Sequence, residues 1–113
     1  MQKDYRGLTA DNIWEYGGIN ERRTMIVKGF TFLPVIPETI GKNTYCLDIV
    51  GKSAFEGDIV SVISGLLYVV EYNPTHAGFV LTANNESIGM VEGHFEIVGN
   101  IHQNPEILQP MKM

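Results

Sequence analysis

The segment Phe55-Glu56-Gly57-Asp58-Ile59-Val60-Ser61-Val62-Ile63-Ser64-Gly65-Leu66-Leu67-Tyr68-Val69-Val70 constrains the fold more than any other part of the chain. It spells a turn, a β-branched strand, a glycine-bearing tight turn and a second strand, the pattern of a small β-barrel or β-roll built around one meander. A two-residue loop at Ser64-Gly65 predicts the pairs Ile63 with Leu66, Val62 with Leu67, Ser61 with Tyr68 and Val60 with Val69. Cross-strand partners share a face. One face then carries Val60, Val62, Leu67 and Val69, and the other Ile59, Ser61, Ile63, Leu66, Tyr68 and Val70. Neither is polar, whereas a hairpin wetted on one side alternates apolar with polar residues. The ribbon is therefore expected to be covered twice, by its own core and by a second body, which predicts a homo-oligomer. Burying roughly 400 Å² of apolar surface at about 25 cal/mol per Å² gives about 10 kcal/mol gross, much of it offset by the costs of association.

The rest of the chain repeats the short-strand pattern, so the expected class is mainly β: an SH3-like barrel or roll with an N-terminal β extension and a short C-terminal helical turn. A single domain is expected, with residues 1–43 as the extension, 44–108 as the barrel meander and 109–113 as a frayed tail. Ile13–Tyr16 reads as a strand stopped by Gly17-Gly18, and Thr9-Ala10-Asp11-Asn12 as a possible helical cap. Thr24–Phe32 reads as one strand bent at Gly29, and Pro34 and Pro37 favour an extended, edge-like crossing. Thr44–Ala54 reads as a connection with a turn at Asp48–Gly51, where Gly51 supplies a positive φ. Phe79–Thr82 is a third strand, Ala83–Ser87 a polar turn, Ile88–Glu92 ambiguous and Phe95–Ile101 a last strand. Asn104 as N-cap and Pro105 at the first position start a helical turn that covers the barrel's open end with Ile107 and Leu108.

Thirteen acidic residues against eight basic ones give a net charge of −5. That balance argues against a broad nucleic-acid surface, which needs clustered Lys and Arg. The one basic pair, Arg22-Arg23, sits beside Glu21. The one cysteine, Cys46, cannot form an internal disulfide, which fits a reducing cytoplasm, and its apolar neighbours suit a small buried hydrophobe. The polar N-terminus reads as no signal peptide, and the apolar run from Ile59 to Val70 is too short to span a bilayer. A soluble, cytoplasmic protein with no membrane contact is expected.

No catalytic constellation emerges. Glu56 and Asp58 flank Gly57 and could serve acid–base chemistry or a cation, but Asp58 is better explained as a turn residue accepting backbone N–H groups. His76, His94 and His102 lack the close pair that zinc sites usually contain. Asn100, His102, Asn104 and Glu106 could line a groove, although capping explains them more simply. Glu56, Gly57, Asp58, Gly65, Asn100, Asn104 and Pro105 are assigned to turns and caps. Trp14, Tyr16, Ile59, Ile63, Leu66, Tyr68 and Tyr72 are the candidate interface, since Trp and Tyr anchor interfaces as readily as they fill cores. Neither a cofactor nor a metal is expected.

Four pieces carry a family resemblance: Tyr5-Arg6-Gly7 with Trp14-Glu15-Tyr16-Gly17; Val35-Ile36-Pro37-Glu38-Thr39-Ile40-Gly41; Phe55-Glu56-Gly57-Asp58-Ile59-Val60; and Val98-Gly99-Asn100-Ile101-His102-Gln103-Asn104-Pro105-Glu106-Ile107-Leu108. In this order and spacing the chain resembles the YopX-like proteins of bacteriophages and prophages of low-GC Gram-positive bacteria, over nearly its whole length. One stretch departs. Tyr45 stands where the family usually has glycine, and Ile49-Val50 replace polar turn residues, while Asp48, Gly51 and Lys52 keep their places. The resemblance implies an SH3-like barrel, a phage or prophage origin and no established activity, and fold alone supplies none. The expected role is that of a non-catalytic accessory protein that self-associates or binds a phage or host protein. Nucleic-acid binding, known for SH3-like barrels in other families, is the alternative, and an enzyme using Glu56, Asp58 or a histidine the third reading.

Overall fold

Turn chemistry sets the strand order. A computed structural model describes residues 3–108 as mainly β, in two antiparallel sheets with two short 3-10 turns. Two units are recognisable, one ending at Asn43 and the other starting at Thr44.

In the first unit, β1 (Tyr5–Leu8), β2 (Trp14–Ile19), β3 (Met25–Lys28), β4 (Thr31–Pro34) and the start of β5 (Gly41–Leu47) lie in the order β4-β3-β2-β1-β5. Thr9 closes the β1–β2 turn: its hydroxyl accepts from Asp11 and Ile13 N–H, and its carbonyl from Asn12 N–H. This is a strand turn and not the helical cap considered above, because Asn12 takes a positive φ that no helix continues. Asn20 does the same for β2–β3, its Oδ1 accepting from Thr24 and Met25 N–H at 2.9 and 3.0 Å.

Two expectations fail in this unit. Gly17-Gly18 does not stop β2; both glycines lie inside it, because a Cβ on Gly17 would overlap the Val27 carbonyl oxygen of the neighbouring strand. Gly29 does not bend one strand; with φ +57 it opens a two-residue turn, Gly29-Phe30, and Lys28 pairs Thr31. Ile26, Leu8 and Val35 fill the interior, with Val35 packed where a Cβ on Gly7 would sit. Thr39, in the 3-10 turn Pro37–Thr39, accepts from Leu8 N–H at 2.8 Å and donates to the Ile36 carbonyl at 2.6 Å.

The second unit holds the end of β5 with β6 (Ser53–Phe55) beside it, and a sheet in the order β10-β9-β8-β7-β11. Its strands are β7 (Asp58–Val62), β8 (Leu67–Asn73), β9 (Gly78–Ala83), β10 (Glu86–Gly89) and β11 (Phe95–Asn100). The stretch read as a connection, Thr44–Ala54, thus contributes strand residues at both ends, since Thr44 Oγ1 donates to the Ala54 carbonyl across the pair. The ambiguous stretch Ile88–Glu92 divides, Ile88 and Gly89 belonging to β10. The core is Ala54, Val60, Tyr68, Val70, Leu81 and Phe95, rimmed by Cys46, Val62, Ile88 and Ile97.

The central hairpin is one residue out of the expected register. Ile59 pairs Val69, Val60 pairs Tyr68 and Ser61 pairs Leu67. The loop is three residues, Ile63-Ser64-Gly65, closed by Gly65 N–H to the Val62 carbonyl and Val62 N–H to the Leu66 carbonyl. Gly65 has φ +84 and Ser64 has no positive φ, so a turn followed by a glycine bulge is favoured over a two-residue loop. A one-residue slip exchanges faces. Val60, Tyr68 and Val70 therefore share the core side, and Ile59, Ser61, Leu67 and Val69 the outer side.

That outer side is covered in part by the chain itself. The 3-10 turn Pro105–Leu108 brings Ile107 to where a Cβ on Gly99 would sit, and Gly99 pairs Ile59. Leu108 lines a groove with Leu67, Val69 and Thr82. Ile59 is fully buried and Leu67 and Val69 are half-buried. The inference that the ribbon's outer face needs a second copy therefore loses its basis. The expected tail 109–113 lies outside the described residues.

Candidate functional site

The turn assignments can be followed atom by atom. Gly57 has φ +90, donates to the Val70 carbonyl and accepts from Ile101 N–H, while Asp58 is buried and its Oδ2 accepts from Phe55 N–H at 2.8 Å. Glu56 is half-buried beside them. Asn100 Oδ1 accepts from His102 and Gln103 N–H, and its Nδ2 donates to Gln103 Oε1. Asn104 does not cap forward with its side chain. Its Oδ1 reaches back to accept from Asn100 N–H at 3.2 Å, because the chain doubles back over Gly99, and its carbonyl takes Ile107 N–H. Pro105 opens the 3-10 turn.

The seven interface candidates separate. Tyr68 lies in the core and Ile59 is buried on the opposite face, 6 and 0 % exposed, so neither can meet a partner. Trp14 and Tyr16 are half-buried and carry cations from their own unit: the Arg6 guanidinium lies 4.0 Å from the Trp14 ring centre and Lys3 Nζ 5.3 Å from that of Tyr16. Tyr72 is exposed, but its ring stands edge-on to Phe79, its cross-strand partner, at 5.6 Å. Ile63 and Leu66 remain, at the tip of the β7–β8 hairpin.

Ile63 has company that the sequence reading missed. It divides one end of the second unit into two adjoining grooves. One, about 410 Å³, has Val62, Leu81 and Phe95 with Ile88 and Val91; the other, about 430 Å³, has Ile49 and Val50 across from Ile63; His94 lines both. Ile49, Val50, Ile63 and Val91 are exposed by 64, 68, 88 and 54 %, an apolar surface assembled from three separate turns. Monomeric proteins seldom leave such a patch contiguous without a use for it. The one signal in the sequence was Ile49-Val50 itself, two large apolar residues inside a turn bounded by Asp48 and Gly51.

Asp48 holds that turn in place. Its Oδ1 accepts from Val50 and Lys52 N–H at 3.0 and 2.8 Å, and its Oδ2 from Ile97 N–H on β11 at 3.1 Å. Burial pushes this carboxyl up, but the three backbone donors and the Lys52 ammonium outweigh it and hold it below the ordinary carboxylate value. Ile49 N–H also donates to the Phe95 carbonyl, and Gly93 N–H to that of Leu47. The Ile49-Val50 turn is thus tied by hydrogen bonds to β11. Tyr45, on β5, has φ +60, the left-handed region that favours the glycine the family pattern carries there.

Little chemistry is available at this end. The Cys46 thiol is pushed up by burial and by the Glu92 carboxylate, so it stays protonated at neutral pH. Among the described residues no three His, Cys, Asp or Glu side chains gather to hold a metal ion, and no helix is long and apolar enough to cross a membrane. The arrangement can bind apolar groups; Ser61, His94 and Glu96 supply polar atoms along the groove beside Ile49 and Val50.

The family model described as YopX protein matches residues 6–109, nearly the whole chain. No curated protein matches it.

Proposed function

Because the chain belongs to the YopX family, we propose that it is a phage or prophage accessory protein that works by binding, associating with copies of itself through the apolar end of its second unit. The observation that carries this reading is the cluster of Ile49, Val50, Ile63 and Val91, each more than half exposed around two grooves. A large aliphatic side chain gains about 1.5–3 kcal/mol when its surface is fully removed from water, so four together favour a partner strongly even after association costs. The role is non-catalytic and cytoplasmic in this reading. Sedimentation at increasing micromolar concentration tests it: the weight-average mass rises above that of one chain. A mass that stays at one chain throughout overturns it.

A further inference from the structure

Charge divides with the fold. Six of the eight basic residues (Lys3, Arg6, Arg22, Arg23, Lys28 and Lys42) lie in the first forty-three positions with five acidic ones, whereas the remainder holds eight acidic residues and two basic. The first unit is therefore formally +1 and the second −6, which together make the chain's −5. The apolar grooves belong to the acidic unit, and exposed Glu96 lines the one beside Ile49 and Val50.

The basic unit offers a matching projection. Phe30 stands at the tip of the β3–β4 hairpin with its side chain wholly in solvent, 103 % exposed, and Phe32 follows at 57 %. Nothing lies within 4 Å of where a Cβ on the adjacent Gly29 would be, so the tip is open on that side too. A fully wetted phenyl ring on a two-residue turn does nothing for its own fold. Its apolar surface, carried on a +1 unit, complements grooves carried on a −6 unit.

From these two observations we infer that the chain associates head to tail: Phe30 of one copy enters the groove between Ile63 and Val91 of the next. The inference rests on the self-association proposed above and names its geometry. Knob and groove are different surfaces, so the contact is heterologous, and an assembly of any length keeps one knob and one groove free at its ends unless a ring closes.

Heterologous contacts allow a decisive complementation experiment. Phe30→Ser removes the knob and keeps the groove; Ile63→Asp spoils the groove and keeps the knob. Both positions are exposed, and an unchanged thermal melt verifies folding of each variant. In sedimentation, wild type forms species larger than a dimer that shrink as salt rises, each variant alone sediments as one chain, and an equimolar mixture forms a heterodimer and nothing larger. Variants that associate like wild type overturn the head-to-tail contact while leaving self-association standing. Folded single-chain variants that fail to combine when mixed overturn it in favour of a like-to-like contact. A wild-type chain that never associates overturns both readings.

Discussion

Asp48 Oδ2 accepts the Ile97 backbone N–H at 3.1 Å, joining the β5–β6 turn to the middle of β11 across forty-nine residues of sequence. The carboxylate is 3 % exposed and serves two N–H groups of its own turn as well, so one side chain organises the turn and anchors it. Ile49 and Val50 stand on this support.

Asp48→Asn replaces one acceptor oxygen with a donor that opposes a backbone N–H. A loss of about 1–3 kcal/mol at neutral pH is expected. The folded carboxyl titrates below its unfolded value of about 3.9. Its contribution is therefore complete above that value and drains away as pH falls through the lower folded one. Urea unfolding of both proteins at neutral and acid pH checks this: the gap between them narrows on acidification.

Gly99→Ala places a methyl 2.8 Å from Ile107 Cδ1 and 3.1 Å from Asn104 Cβ. The C-terminal turn must lift or β11 must shift, at an expected cost of about 1–3 kcal/mol. Hydrogen exchange is expected to show Ile107 N–H losing protection while Leu81 on β9 keeps it.

Gly65 and Tyr45 both occupy left-handed backbone, at φ +84 and +60. The surroundings of Gly65 are open, so Gly65→Ala costs backbone strain alone, about 1–2 kcal/mol. Tyr45→Gly relieves similar strain, while the glycine's extra unfolded-state freedom returns most of the gain. Thermal melts are expected to show a drop for the first and a change of less than about 1 kcal/mol for the second.

Arg6→Ala removes a 5 % exposed side chain stacked on Trp14. Lost packing and cation–π attraction are expected to cost about 2 kcal/mol. Trp14 is the chain's one tryptophan, so its emission reads the change directly: a shift to longer wavelength and an earlier urea midpoint.

Legibility in the sequence followed the range of the interaction. The Glu56-Gly57-Asp58 turn, the Asn84-Asn85 turn with both residues at positive φ and the strand at Phe95 were visible because local chemistry specifies them. The hairpin register was not, since a glycine in second place suits a two-residue loop as well as a three-residue one. That single residue exchanged the faces of the β8 side chains relative to β7 and moved Tyr68 from the candidate interface into the core. The exposed patch was hidden for a different reason: its members come from turns about fourteen to forty residues apart, and no local pattern records that they meet.

The amino-acid order alone determined that this chain is mainly β and belongs with the YopX family, because β-branched alternation, turn residues and motif spacing are properties of neighbouring positions. Only the tertiary structure decided which apolar residues are spare. Burial is set by what folds back over a strand, as Ile107 does at Gly99 and none of the described residues does at Ile63, and that is a fact about space rather than about order along the chain.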